Sequence, residues 1–412
     1  MRILVITDYL PFPPIAGDTI RVYNIIRRIS QDNELSLLAL FGTTDTADSI
    51  LHLQEFCKYV EVIDHQWPDP WSCLPDLFRY FITGKPIELR LLYSQKMADK
   101  IHQLTSETHF DIVHIEHSRL ALYRENIDPN SQSLSVLTFH NVAYDQFARI
   151  SHIQKGLITR FRSWLFSWQL RHWEPSYAGM FTRCVTVSDL DRKILLAGNS
   201  KLQLEVIPNG TDTKKYQFLD AEQGSLNLLF IGSMSYAPCV DGAVYFCTQI
   251  LPLIRQELPP VQLWLVGANP SPAVLQLACD HIHVTGYVES VLPFYQRAAV
   301  TVVPLRAGGG TRLKILEAMA FGRPVVSTSI GCEGLDVVDG QHLFIADDPE
   351  TFAEKILRLL GDESLYQRIT ADARELVVSK YDWDQISDKL LGVYSEIIQE
   401  QNRNLCNLVT FG

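Results

Sequence analysis

The chain has 412 residues, more than one hydrophobic core usually serves, so two domains are expected. Its 36 basic and 47 acidic residues leave a net charge of −11, which excludes a general attraction for nucleic acid. Hydrophobic content of 47% and charged content of 20% are ordinary for a globular α/β protein. The eight cysteines (57, 73, 184, 239, 247, 279, 332, 406) form no C-x-x-C pair, which reads as reduced thiols in a cytosolic protein.

The apolar start Ile3–Ile6 is too short for a signal peptide and reads as a buried strand. It leads into Pro11-Phe-Pro-Pro-Ile-Ala-Gly17, and a helical pattern follows from Asp18 to Ser30. Strand-like runs recur at Leu35–Leu40, Tyr59–Ile63, Ile112–Ile115, Ser135–Phe139 and Cys184–Val187. Leu228–Ile231 then repeats the opening, ending in Gly232-Ser-Met-Ser-Tyr-Ala-Pro238 before a helical pattern from Asp241 to Gln256. Further runs lie at Gln262–Val266, His283–Thr285, Val300–Val303 and Pro324–Ser327. Continuous Val/Ile/Leu runs alternating with helices predict parallel sheets covered on both faces.

The predicted fold class is therefore α/β: two Rossmann-like, doubly wound domains in tandem, with ligands at the carboxyl ends of their strands. Two such edges facing one another would form a cleft. The turn-rich Ile207-Pro-Asn-Gly-Thr-Asp212 marks the joint, giving domains 1–207 and 208–384. The amphipathic pattern Trp383–Gln399 follows the second domain, and its helix, about 385–400, can also pack back onto the first. No run of about 18 apolar residues stands out, so no membrane-spanning segment is expected.

The most informative stretch is Val303–Thr328: strand, glycine turn, helix, tight turn, strand. Gly308, Gly309 and Gly310 leave backbone N–H groups at a helix start, where phosphates bind. Arg312 and Lys314 read as first-turn residues, where each cation opposes the helix dipole by roughly 0.3–1 kcal/mol. A bound anion removes that penalty, and charge-assisted hydrogen bonds of about 1.5–3 kcal/mol each reverse it. Glu317 can accept from sugar hydroxyls. The bland alternative is a surface turn in which Lys314 pairs with Glu317.

In order, the chain shows an N-terminal glycine loop, His140-Asn141, Val187-Ser188, Pro208-Asn-Gly-Thr-Asp212, the Gly232-Ser233 turn and Gly-Gly-Gly-Thr-Arg-x-Lys-x-Leu-Glu-Ala-Met-Ala-x-Gly-x-Pro-Val-Val. This series resembles the retaining GT-B glycosyltransferases of family 4 over nearly the whole chain. The resemblance implies a nucleotide diphosphate sugar on the C-terminal domain, UDP-hexose being favoured. Glu317 is implied to hold the ribose hydroxyls, since one carboxylate can accept two hydrogens at once. The base is implied to lie against Gly286, Tyr287 and Val288, although a plain strand-end turn explains the same residues. Gly308, Gly309, Gly310 and Thr311 are implied to meet the phosphates and donor sugar, with Asn209, Gly232 and Ser233 as further substrate-binding candidates.

Two departures stand out. The common family pattern has a second Glu eight positions before Glu317, where this chain has Gly309. The family often carries Arg and Lys in the turn after the first C-domain strand, but Gly232–Gly242 holds no basic residue. Arg312 and Lys314 are the cations left for the leaving diphosphate.

His140-Asn141 resembles the family's His-Asp/Asn, whose His faces the transferred sugar. A neutral imidazole can donate to a sugar oxygen or to charge developing in an oxocarbenium-like transition state; a structural strand-end His is the alternative. Ile15-Ala-Gly-Asp18 resembles the family's N-terminal loop. Gly17 there suits close backbone approach and Arg21 lies in the first turn, while Asp18 as a plain N-cap explains the same residues.

His114-Ile-Glu-His117 lacks the spacing of a helical metal motif, and strand period is expected to split its side chains between faces, leaving Glu116 as a cleft-lining candidate. Asp189-Leu-Asp191 after Val187-Ser188 reads as a helix cap, not a metal motif. No G-x-G-x-x-G follows a strand, which weighs against a dinucleotide dehydrogenase. The stretch 160–173 is basic and aromatic within an acidic chain. One reading packs Trp164, Leu165 and Trp168 into the core, and another lays the helix on an anionic membrane.

Together these readings predict an enzyme that moves a hexosyl unit from a nucleotide diphosphate sugar to an acceptor hydroxyl of a polysaccharide or lipid-linked saccharide, with retention. His140, Arg312 and Lys314 are the catalytic candidates. No metal and no other cofactor is expected, and the place is cytoplasmic, with peripheral contact at the inner membrane face as an extension. The rivals are an inverting transferase or epimerase of the same architecture, which needs a general base, and a nucleotide-sugar-binding module without turnover, which the missing Glu at 309 favours.

Overall fold

The structure is a computed structural model that describes residues 1–43, 45–63, 65, 86, 89, 92–154, 156–219 and 224–410. The chain divides into two compact units. The first comprises Met1–Asp145, Trp164–Pro208 and Asp384–Gly412; the second comprises Gln146–Ser163 and Asn209–Trp383. Residues 146–163, expected with the first domain, thus group with the second.

The first unit holds seven parallel strands: β1 (Arg2–Tyr9), β2 (Glu34–Phe41), β3 (Tyr59–Val62), β4 (Ile112–Glu116), β5 (Leu134–Phe139), β6 (Arg183–Thr186) and β7 (Leu204–Val206). Their order is β3-β2-β1-β4-β5-β6-β7, with Ile3 of β1 opposite Leu35 of β2 and Ile112 of β4. Ile3, Leu4, Val5 and Ile6 are all buried, as expected of a strand covered on both faces. Helix Gly17–Ile29 buries Val22, Ile25, Ile26 and Ile29, one face at helical spacing. Helix Trp383–Thr410 buries Ile386, Leu390, Val393, Tyr394 and Ile397. From Asp384 on, this helix belongs to the first unit, where Lys389 Nζ donates to Val206 O (2.7 Å) and Arg183 Nη2 to Glu400 Oε2 (3.0 Å).

The second unit holds β8 (Asn227–Ile231), β9 (Gln262–Val266), β10 (Ile282–Val284), β11 (Ala298–Val303), β12 (Val325–Ser327) and β13 (Phe344–Ile345), in the order β10-β9-β8-β11-β12-β13. β7 and β13 were not expected, because runs of three and two residues carry no readable period. The helical run Ala237–Glu257 is long and apolar enough to cross a membrane by length and composition alone, against the expectation of no such segment. It contains a π-bulge at Phe246–Ile250, and Ala243, Phe246, Ile250 and Ile254 are buried in the unit's core. Core packing accounts for its apolarity. Within this unit Thr211 N–H donates to Tyr381 O (2.8 Å) and Trp383 N–H to Thr211 O (3.3 Å), fastening the segment after Pro208.

In each sheet the strand order reverses beside the unit's first strand, at β1/β4 and β8/β11. Such reversals part the loops at the carboxyl edge and leave a crevice there.

One buried carboxylate supports the chain just past His140. Glu174, on helix Leu157–Ala178, accepts from Ser118 Oγ (2.6 Å) and from the N–H groups of Tyr144 (3.1 Å) and Ala143 (3.4 Å). It thereby satisfies amides that open helix Ala143–Ile153. Burial pushes its carboxyl up to about 7, against these three donors. The native state therefore keeps a proton that the unfolded chain, with its ordinary value of 4.5, releases. Stability should fall as pH rises from the unfolded value to the folded one, by up to about 3 kcal/mol. Urea unfolding of Glu174→Gln at about pH 5 and about pH 8 should show that this part of the pH dependence has gone; an unchanged difference would contradict the assignment.

Candidate functional site

At the carboxyl ends of β8, β9 and β10 the chain turns at Gly232, Gly267 and Gly286. Gly232 N–H donates to Val266 O (2.9 Å), and Gly267 N–H to Gly286 O (3.2 Å). Gly267 has φ +154°, and a Cβ there would lie 1.7 Å from Gly232 O, so no other residue lets these turns touch. A Cβ on Gly232 would lie 2.7 Å from Lys314 Nζ. Lys314 therefore stands over the turn that carries no basic residue of its own. Its Nζ lies 3.8 Å from Cys239 Sγ and 5.0 Å from the centre of the Phe230 ring. Among the described residues no carboxylate pairs with it, so the surface pair with Glu317 is not formed. Ser233 is exposed beside the turn, its hydroxyl 3.1 Å from Ser235 Oγ. Past β10, Tyr287 is exposed while Val288 packs on the core.

The helix after the triple glycine begins at Leu313, with Arg312 as its N-cap in extended conformation. This corrects the expectation of two first-turn cations: only Lys314 is one. Arg312 Nη1 donates to Gly310 O (2.7 Å) and also to Gly309 O. Gly308 (φ +125°) and Gly310 (φ +67°) adopt backbone that suits glycine, and a Cβ on Gly308 would meet Arg312 Nη2 at 2.7 Å. Arg312 thus grips its own loop by the carbonyls. Among the described residues none accepts from the N–H of Gly309, Gly310 or Thr311, and the Thr311 hydroxyl is buried without a partner. Such donors are the raw material of an anion site.

Glu317, half-buried, lies one turn further on. Its Oε2 accepts from the hydroxyl of fully buried Tyr295 (3.5 Å). Burial pushes its carboxyl up to about 7, with Lys314, the Tyr295 hydrogen bond and Lys215 pulling the other way.

In the first unit, β4 ends at Glu116 and His140 follows β5. His140 Nε2 lies 2.8 Å from Glu116 Oε2, both side chains buried. Glu116 Oε1 lies 3.6 Å from His114 Nε2, and His114 is itself held by Thr138 Oγ1 (2.6 Å) and the Tyr394 hydroxyl. His117 leaves the strand at φ +82°, and its ring stacks on His140 with centroids 4.0 Å apart. His117 Nε2 lies 3.5 Å from Asp18 Oδ2. The side chains thus form a series, Asp18–His117–His140–Glu116.

Burial alone would raise the Glu116 carboxyl, but His114, the His140 hydrogen bond and the Arg21 guanidinium outweigh it and hold it well below the usual range. Burial, aided by His117, pushes His140 down to about 4 despite Glu116, so its imidazole is neutral near pH 7. Asp18 is held low against its burial by the His117 hydrogen bond and charge and by the Thr19 N–H.

Several expectations change here. His114 and Glu116 share one face, as strand period requires, while His117 lies past the strand and rejoins them by stacking on His140. Among the described residues no cluster of three His, Cys, Asp or Glu could hold a metal. Asp18 is not the N-cap. Ala16 is, with Thr19 Oγ1 accepting from its N–H (3.0 Å), and Gly17 is the exposed first helical residue. Arg21 is fully buried and donates to Pro208 O (2.7 Å), so it serves as an internal counter-charge to Glu116 and not as an exposed first-turn cation. Asn141 is half-buried and Asn209 buried. Ser188 caps the next helix by accepting from Asp191 N–H (3.1 Å), as expected of Asp189-Leu-Asp191. Trp164 and Trp168 are exposed and Leu165 half-buried, which overturns the core reading for the tryptophans, while Leu170 and Trp173 of the same stretch are buried. Sequence reasoning missed His117 and Tyr295. His117 was discounted with its metal-like neighbours, and Tyr295 carries no signal before the fold brings it to Glu317.

Residues 225–362 match the family described as glycosyl transferases group 1, and residues 47–215 match Glycosyltransferase Family 4. Glycogen synthase of Mycobacterium tuberculosis is 27% identical over 211 residues, which cover 48% of this chain and 50% of that protein. The capsular polysaccharide biosynthesis glycosyltransferase CapM of Staphylococcus aureus is 32% identical over 190 residues, 45% of this chain and 42% of that one. The chain thus spans about half the length of these two curated relatives. The crystal structure of HepE from Anabaena in complex with UDP-glucose superposes with TM-score 0.69 at 14% identity, covering 96% of this chain and all of that one. With its two Rossmann-like units and both family matches, the chain belongs to the family 4 glycosyltransferases of GT-B fold.

Proposed function

We propose that the protein is a retaining glycosyltransferase that moves a hexosyl unit from a nucleotide diphosphate sugar, a UDP-hexose, to an acceptor hydroxyl of a polysaccharide or lipid-linked saccharide. The observation that carries this is Lys314 standing over the Gly232 turn, near a loop with unpartnered N–H groups at Gly309–Thr311. In this reading the diphosphate takes those donors and the Lys314 ammonium, which stand in for a divalent cation. Ribose hydroxyls donating to Glu317 favour its carboxylate form. The backbone at Gly286–Val288 meets the base. UDP is supported by the UDP-glucose complex of the structurally similar HepE.

Transfer with retention proceeds by front-face displacement. The bond from the anomeric carbon to the diphosphate breaks, the acceptor oxygen bonds that carbon on the same face, and the departing diphosphate oxygen takes the acceptor proton. The protein supplies positioning and electrostatics. An inverting route needs a general base, and a His140 pushed down to about 4 is a weak one.

A second element of the reading is location. On helix Leu157–Ala178, Leu157, Ile158, Phe161, Trp164 and Trp168 are 83, 79, 60, 53 and 52% exposed. Their spacing puts them along one helical face. Arg160, Arg162 and Arg171 are exposed around them in a chain of net charge −11. Aromatic rings with flanking arginines suit an anionic lipid surface, which supports a position at the cytoplasmic face of a membrane, beside lipid-linked acceptors.

Four outcomes follow from this reading. Among UDP, GDP, ADP and their sugars, UDP compounds should raise the melting temperature most. Product NMR should show a retained anomeric centre in excess chelator. An inverted product refutes retention, activity restored only by Mg²⁺ or Mn²⁺ refutes the metal-free site, and UDP binding without any transfer supports the binding-module alternative. Lys314→Ala should weaken UDP binding about 10- to 100-fold by calorimetry; equal affinity removes Lys314 from the diphosphate. Finally, the chain should co-sediment with vesicles containing phosphatidylglycerol and not with phosphatidylcholine alone. Trp164→Ser with Trp168→Ser should abolish this without lowering transfer to a soluble acceptor, and equal sedimentation of the variant refutes the membrane face.

A further inference from the structure

We infer that Glu116 is a positioning residue that fixes His140 in its Nε2–H tautomer, so that the ring presents the lone pair of Nδ1, a hydrogen-bond acceptor, to a substrate hydroxyl. This deepens the reading of His140 as a sugar-facing residue and rests on it.

The 2.8 Å contact between His140 Nε2 and Glu116 Oε2 needs one hydrogen between them. An ionised carboxylate only accepts, so the hydrogen sits on Nε2. The carboxylate is kept ionised by its surroundings: Arg21, fully buried, supplies a permanent positive charge, and His114 lies 3.6 Å from its other oxygen. A neutral imidazole with hydrogen on Nε2 carries a bare lone pair on Nδ1. Among the described residues no group hydrogen-bonds that nitrogen.

The ring is also held in orientation. His117 lies nearly parallel to it, at 4.0 Å between centroids and 19° between planes. His117 reaches this place through φ +82°, backbone that a residue other than glycine enters at an energetic cost. Asp18 then braces it at 3.5 Å. Rotating His140 to exchange its nitrogens would break the Glu116 contact and disturb this stack. The role expected from the sequence, an imidazole that donates to a sugar oxygen, is thereby reversed. His140 takes a hydroxyl hydrogen, and with its neutral ring it orients that hydroxyl without holding the proton.

Long-range ¹⁵N–¹H NMR of the full chain labelled in histidine tests this without reference to turnover, with His140→Gln identifying the resonances. The expected result is a protonated Nε2 and an unprotonated Nδ1 at neutral pH. A protonated Nδ1 overturns the inference. In Glu116→Gln the amide can either donate or accept, so the Nδ1–H form should become populated, and kcat should fall about 10- to 100-fold with KM for the donor little changed. Glu116→Asp, which keeps the buried charge beside Arg21, should restore the Nε2–H form and part of kcat. A Gln variant with the original tautomer, or with unaltered kcat, overturns the positioning role. Absence of transfer in the unaltered protein would refute the proposed function, and the tautomer measurement would still decide between the two forms of His140.

Discussion

No side chain fits between Gly267 and the carbonyl of Gly232, and the carboxyl edge of the second unit's sheet depends on that contact. Because the turns after β8 and β9 touch there, the end of β8 is held down by the Gly232–Val266 bond, and Gly232 leaves the space of a side chain to its neighbours. Lys314 fills part of that space from the first turn of its helix. A lysine in a first turn is unfavourable beside the helix dipole. Here the cost comes with an ammonium that has no carboxylate partner among the described residues and stands beside a sulfur and a ring face. A cation without a carboxylate partner, next to amides without acceptors, is the electrostatic complement of a polyanion.

The first unit solves a different problem, keeping a titratable ring neutral, oriented and hydrogen-bonded in a buried place. A carboxylate beside His140 would by itself favour imidazolium. Burial and the neighbouring His117 oppose this, while Arg21 supplies the charge that Glu116 requires. Arg21 is in turn anchored on the Pro208 carbonyl, at the end of the segment that leaves the unit. The C-terminal helix joins the same network through Tyr394 and His114. Removing one member leaves a buried charge or donor unmatched, which is why such groups cannot be exchanged singly at low cost.

Much of the architecture was legible in the sequence because the signals were local. Ile3–Ile6 and Leu228–Ile231 are continuous apolar runs, and each proved to be a strand flanked by parallel neighbours. The triple glycine announced a loop without side chains before a helix. What could not be read depended on where side chains end up. Arg312 and Lys314 are two residues apart and look equivalent. One folds back onto carbonyls of its own loop, while the other reaches a turn about eighty positions earlier in the chain. Arg21 read as a first-turn cation because the groups it meets, Pro208 by a hydrogen bond and Glu116 and Tyr394 by charge, are none of them near it in sequence. Trp164 and Trp168 looked like core residues because hydrophobicity does not say which face of a helix meets the protein.

The departure at position 309 is best understood as a matter of charge. A glutamate there would add an anion to the loop that carries Gly310, Thr311 and Arg312. Gly309 adds only an N–H dipole, and its carbonyl is taken by Arg312. Glu317, the remaining carboxyl of the segment, is pushed up by burial to about 7, so it carries only part of a negative charge near neutral pH. Lys314 is therefore not neutralised by its own segment. A chain that lacks the arginine and lysine after its first C-domain strand can still keep a net positive site if it also gives up a carboxylate. Read this way, the two departures from the common family pattern, at 309 and between Gly232 and Gly242, compensate one another in charge at the β8/β11 edge.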